Sequence, residues 1–146
     1  MIQGNIEEML EKEGLFITTT VGMSMYPLFK NRRDNVVIKP RTSKLKKYDV
    51  PLYKRGDKYI LHRIIDIKDG YIIRGDNCDN IETDITDENI IGILSAFWRN
   101  DRFYTVNNPI YKVYSYLTVS LHPLRLFYKK CLRFLIRVKH RLFPKK

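Results

Sequence analysis

The sequence predicts a mostly β protein: a small, coiled antiparallel β-domain, preceded by a short helix and followed by basic amphipathic helices. Residues 16–106 fall into short runs rich in β-branched and aromatic side chains, which suit a pleated, half-buried surface. Turn formers separate these runs at Lys30–Asp34, Arg55–Asp57, Lys68–Gly70 and Asp76–Asn80. Beyond Pro109 the apolar spacing changes to three and four, on a background of lysine and arginine.

The first expected element is a helix over residues 5–13. Asn5 is a suitable cap, Glu8 follows three positions later, and Ile6, Met9 and Leu10 share one face. Gly14 ends it. Strands are expected over 16–21, 35–40, 50–54, 58–67, 71–75, 90–99 and 102–106, the last after a turn at Asn100–Asp101. Short strands at this spacing argue for a barrel-like antiparallel domain. No internal repeat is visible. Helices are expected over 110–121 and 124–142, with Pro123 breaking them. In the second, Leu124, Phe127, Cys131, Leu135, Val138 and Leu142 form an apolar stripe. Arg125, Lys129, Lys130, Arg133, Arg137 and Arg141 fill much of the remainder.

The length of 146 residues fits one domain, with an appended element. Apolar residues make up 44% and charged residues 29%, a globular composition that excludes a disordered chain. Cys78 and Cys131 match no metal spacing and are expected as free thiols in a reducing compartment, with no metal or cofactor. The net charge of +11 is unevenly placed. Eleven of the 27 Lys/Arg lie in residues 102–146, which contain no Asp or Glu; the other 16 balance the 16 acidic residues of the rest. Such a tail is suited to an anionic surface. The N-terminal stretch is acidic and polar rather than a cleavable leader. No uncharged run of about 18 apolar residues exists, so no spanning helix is expected. The expected location is cytoplasmic, peripheral at the inner face of the membrane.

Chemistry enters at Gly22-Met23-Ser24-Met25-Tyr26-Pro27, where a strand gives way to a loop. A serine hydroxyl needs a positioned base to act as a nucleophile, and its own N–H is suited to an oxyanion. An ordinary turn serine is the plain alternative. His62, within the 58–67 run, has a ring that titrates in the range a general base needs. Asp76, at the end of the run Arg74-Gly75-Asp76-Asn77, is suited to orient that ring, although an Asx-turn explains it equally.

In this order, GMSMYP (22–27), YDVPLYK (48–54), ILHRI (60–64) and RGDN (74–77) resemble the sequence boxes of type I signal peptidases, across roughly residues 15–98. The wider superfamily includes the self-cleaving SOS-response repressors. The resemblance implies a fold of the signal peptidase catalytic-core kind, with 1–106 as the catalytic β-domain and 107–146 as a basic helical tail. It implies Ser24 as nucleophile and His62 as base, in the histidine-type variant with its His-Arg pair. Asp76 would support the site, with Asp79 and Asp84 as alternative second carboxylates between which the spacing does not choose. Met25 would pack beside the nucleophile, and Met23 and Met25 would flank the substrate groove. Two features depart from the pattern. The usual N-terminal transmembrane helices are missing, and Tyr48-Asp49-Val50-Pro51 stands where Gly-Asp and apolar residues are usual. Pro51 removes a ladder donor, so its strand is expected at an edge.

The function implied is a serine endopeptidase that cleaves a precursor or signal-like peptide by acyl transfer. The alternative is a non-catalytic module that holds a peptide or partner on the same fold. A repressor-like regulator is disfavoured: about 14 residues precede the first strand, too few for a helix-turn-helix, and the Ala-Gly or Cys-Gly autocleavage dipeptide is absent. The tail has three readings. It packs on the β-domain with a solvated basic face, lies in an anionic membrane interface, or binds nucleic acid; the last lacks any recognised motif.

Overall fold

The computed structural model describes residues 6–142, without the side chains at 129 and 138–142. The expected Asn5 cap and the tail side chains of Lys129 and Arg141 lie outside the described residues. Strand outweighs helix, and the main sheet is a curled antiparallel half-barrel.

Helix α1 (Ile6–Glu13) ends where Gly14 adopts φ 68° and its N–H donates to the Leu10 carbonyl at 3.1 Å. The main sheet runs β1 (Phe16–Thr19), β2 (Asn35–Lys39), β8 (Ile90–Arg99), β3 (Pro51–Arg55), β4 (Lys58–Leu61). The ten-residue β8 is its spine. One edge pairs with β2; the other is shared by β3 near Ile90–Ile93 and by β9 (Arg102–Thr105) at Ala96–Arg99. Gly92 permits the close approach of β2, because a Cβ there would stand 2.7 Å from Ile38 Cγ2 and 2.8 Å from the Lys39 carbonyl oxygen. A second sheet holds β5 (Arg63–Ile67), β6 (Tyr71–Arg74) and β7 (Glu82–Ile85).

Two cores result, one on each face of β3. Leu52 points into the first, with Leu10, Met25, Leu28, Phe29 and Phe97; Tyr53 points into the second, with Ile64, Tyr71, Ile73 and Ile85. This two-sided burial overturns the edge expectation for Pro51. Strand β3 lies between β8 and β4, and Pro51 is tolerated because it is the strand's first residue. The 58–67 run is likewise not one strand. It divides at His62, with β4 in the main sheet and β5 in the second.

The helices are only partly a tail. In α2 (Pro109–Ser120), Asn108 caps the start by accepting the Ile110 N–H at 2.8 Å, and Tyr111 and Ser115 are buried against the β-domain. Helix α3 (His122–Leu142) begins one residue before Pro123, which sits in the first turn where no N–H is required. His122 is buried, whereas Phe127, Phe134 and Leu135 are each more than half exposed. No helix among the described residues is long and apolar enough to cross a membrane.

Candidate active site

Ser24 lies on the loop between β1 and β2, and that loop is pinned at its neck. Thr20 N–H donates to the Asp34 carbonyl at 2.9 Å, and Arg32 N–H to the Thr20 carbonyl at 2.7 Å. The buried Asp34 carboxylate accepts the Lys30 N–H at 2.8 Å. Leu28 and Phe29 plug the loop into the first core. Gly22 supplies φ 102°, a conformation that favours glycine, and donates its N–H to Asn31 Oδ1 at 2.8 Å.

The tip of this loop docks on the turn that follows β6. Asn77 N–H donates to the Ser24 carbonyl at 2.7 Å, and Asn77 Nδ2 to the Met23 carbonyl at 3.2 Å. Gly75 makes the contact possible. A Cβ at 75 would stand 2.8 Å from the Ser24 carbonyl oxygen, 3.0 Å from His62 Nε2 and 2.8 Å from Cys78 Sγ. Glycine therefore lets the serine main chain, the imidazole and the thiol converge on one point.

The other ring nitrogen of His62 faces a carboxylate that sequence reasoning did not select. Nδ1 is 3.1 Å from the Tyr53 hydroxyl and 3.3 Å from Glu82 Oε1, and the Tyr53 hydroxyl is 2.8 Å from the same Oε1. The phenol has one proton, and its shorter contact is to the carboxylate. Burial and the Glu82 charge push the Tyr53 pKa far up, so that proton stays on. Nδ1 must then be the protonated nitrogen, donating to these two oxygens. The lone pair is left on Nε2, which faces Gly75 and the Ser24 main chain. Arg55 holds the second oxygen, Oε2, of Glu82 at 2.8 Å. Burial lowers the His62 pKa, opposed chiefly by the Glu82 charge, so the ring is neutral near pH 7 and able to accept a proton.

Ser24 and His62 line one cavity of about 430 Å³, floored by Phe29, Val36, Ile38 and Leu52 and walled by β1 and β4. These are the outer strands of the main sheet, each with one edge that has no strand partner among the described residues. The buried Met25 also lines the cavity, whereas Met23 is half exposed and its carbonyl accepts from Asn77 Nδ2. The hydroxyl of Ser24 is not hydrogen-bonded to the imidazole in this structure. No hydrogen bond among the described residues engages the main-chain N–H of Ser24 or Met25, so two adjacent donors are unspent.

Asp76 does not orient the imidazole. It is buried with Arg63, accepting from Nε and Nη2 at 2.8 Å each, and Tyr114 donates to its Oδ2 at 3.1 Å. Its charge reaches His62 only as a weaker influence than that of Glu82. Asp79 and Asp84 are exposed, and Asp84 accepts from the Thr83 hydroxyl at 3.1 Å. Arg125 is not a lipid-facing charge either: its guanidinium binds the Asp76 carbonyl and Asn77 Oδ1. Lys130, Arg133 and Arg137 are exposed along α3.

No protein-family model matches the chain, and no curated protein matches it in sequence.

Proposed function

We propose that the chain is a serine endopeptidase of the signal peptidase I kind, with Ser24 as nucleophile and His62 as general base. The observation that carries this reading is the placement of the half-buried imidazole. Its Nδ1 is held by Glu82 and Tyr53, and its Nε2 is turned toward the nucleophile loop. Nε2 takes the Ser24 proton as Oγ attacks the scissile carbonyl, and the Ser24 and Met25 N–H groups receive the oxyanion. The imidazolium, stabilised by Glu82, returns the proton to the leaving amine, and water activated by the same nitrogen hydrolyses the acyl-enzyme. Catalytic hydrogen bonds commonly tighten only when substrate is bound, which reconciles an unmade Ser24–His62 bond with this role. The substrate class is an extended segment of a peptide or precursor protein, added as a strand against the free edges of β1 and β4.

A fluorophosphonate probe tests the assignment. Wild type is expected to be labelled once, on the peptide containing Ser24, with no labelling of Ser24→Ala. Equal labelling of both would remove the proposed nucleophile. A second reading, a non-catalytic module that holds an extended peptide, draws on the unbonded hydroxyl of Ser24. Peptide binding unchanged in Ser24→Ala, with no labelling of wild type, favours it.

The exposed part of α3 fits an anionic membrane surface at the cytoplasmic face. Phe127, Phe134 and Leu135 supply an apolar contact, and Lys130, Arg133 and Arg137 supply about 1 kcal/mol each near anionic lipid. The protein is expected to float with vesicles containing phosphatidylserine and to stay behind with neutral ones. Replacing Lys130, Arg133 and Arg137 together by glutamine should abolish flotation. Flotation unchanged in that variant would refute the anchor.

A further inference from the structure

Helix α3 begins with a cationic side chain in an unfavourable electrostatic place. Arg125 occupies its first turn, where the helix dipole disfavours positive charge, beside the buried His122, whose pKa burial lowers. Both are engaged, and by the same short turn. His122 Nε2 lies 3.3 Å from the Cys78 carbonyl. Arg125 Nη1 donates to the Asp76 carbonyl, and Nη2 donates to Asn77 Oδ1 at 2.6 Å. Asn77 is therefore a joint. Its Oδ1 faces α3, its Nδ2 donates to the Met23 carbonyl, and its main-chain N–H donates to the Ser24 carbonyl. An asparagine amide is nearly symmetric in shape, so its neighbours decide which end points where. Arg125 has only donors and fixes Oδ1 toward itself, which leaves Nδ2 for the nucleophile loop.

We propose that Arg125 is a positioning residue for the nucleophile, acting through Asn77, so that α3 is part of the catalytic unit and not only an appendage. The proposal rests on Ser24 being the nucleophile. Without Arg125 the Asn77 amide loses the partner that orients it, and the Met23–Ser24 main chain loses a restraint. Small displacements of a reacting atom are costly in rate. Arg125 does not touch the imidazole, so the protonation of His62 should be unaffected.

The experiment measures the rate constant for fluorophosphonate acylation of Ser24 across pH in the full chain, for wild type, Arg125→Ala, Arg125→Lys, Asn77→Ala and the double alanine variant. Arg125→Ala is expected to lower the plateau rate about tenfold or more without moving the pH midpoint. Arg125→Lys should recover part of the loss, and added methylguanidine should recover part of it in Arg125→Ala. The double variant should be little slower than Asn77→Ala, because both residues act along one path. Independent, multiplying effects, or a wild-type rate in Arg125→Ala, would overturn the proposal while Ser24→Ala remains unlabelled. Should Arg125→Ala not fold, Arg125→Gln and the lysine variant carry the same comparison. Hydrogen exchange adds a readout that needs no chemistry. The Asn77 amide proton should exchange faster in Arg125→Ala than in wild type, with Ser24 present or replaced by alanine; equal protection in both backgrounds counts against the proposal.

Discussion

Replacing His62 by alanine is expected to slow acylation of Ser24 by about 10³-fold, the range lost with a general base. Replacing Glu82 by glutamine is expected to cost about tenfold to a hundredfold, because the ring keeps its place but loses the charge that stabilises its protonated form. The two variants differ in their pH behaviour. In the proposed mechanism acylation needs the neutral imidazole, so the rate should rise with pH through the folded-state pKa of His62 and be flat above it. Burial lowers that pKa from 6.5, and the Glu82 carboxylate is the largest influence raising it. The wild-type plateau therefore extends below the ordinary histidine pKa. Removing the Glu82 charge lowers the pKa further, so the acid limb of the Glu82→Gln profile should move to lower pH while its plateau falls. A limb that moves upward, or stays fixed with an unchanged plateau, would remove Glu82 from the site. Tyr53→Phe should have the smaller effect, since Nδ1 keeps Glu82 as an acceptor at 3.3 Å.

Local pattern exposed the strands of this fold well where one face is buried throughout. The 90–99 run matches β8, and the change of spacing beyond Pro109 marks α2 and α3. What stayed hidden depends on long-range geometry. His62 reads as mid-strand because Tyr59–Ile67 is continuously β-forming; only the divergence of two sheets makes it a corner. Strand β7 is harder still. Glu82 and Ile85 both turn inward though three residues apart, because the pairing slips between Tyr71 and Ile73. That slip erases the alternation that would have flagged a strand, and Glu82 was lost with it. Asp76 was the more visible carboxylate, being next to Gly75 and Asn77, but its partner is Arg63, the neighbour of the histidine in sequence. Arg125 looked like one more charge in a basic helix, and nothing local distinguishes it from Lys130.

Asp76→Asn is expected to be the most destabilising polar substitution in the protein. Arg63 is fully buried, and among the described residues Asp76 is the carboxylate that forms an ion pair with it. The guanidinium also donates to the Tyr48 carbonyl at 3.0 Å and the Ser115 hydroxyl at 2.7 Å, and it lies over the rings of Tyr111 and Tyr114. These partners orient the charge without neutralising it. Breaking a buried pair from one side costs about 3–5 kcal/mol, because the other charge is left uncompensated. At this chain length that corresponds to a fall in Tm of roughly 10–15 °C. Replacing both partners, as in Arg63→Met with Asp76→Leu, should recover much of the loss, since a well-packed apolar pair is often no less stable than a buried ion pair. Equal melting of Asp76→Asn and wild type would show that the pair does not hold the fold. The same variant separates structural from catalytic roles. Well below its melting point, its acid limb should move less than that of Glu82→Gln, because the Asp76 charge is the weaker of the two acting on His62. The pair joins β5, the turn after β6 and α2, which are the elements that bring His62, Gly75 and the base of α3 to the Ser24 loop. Losing it should therefore loosen the site and the fold together, while the ordering of the imidazole by Glu82 remains a separate quantity that the pH profile reads.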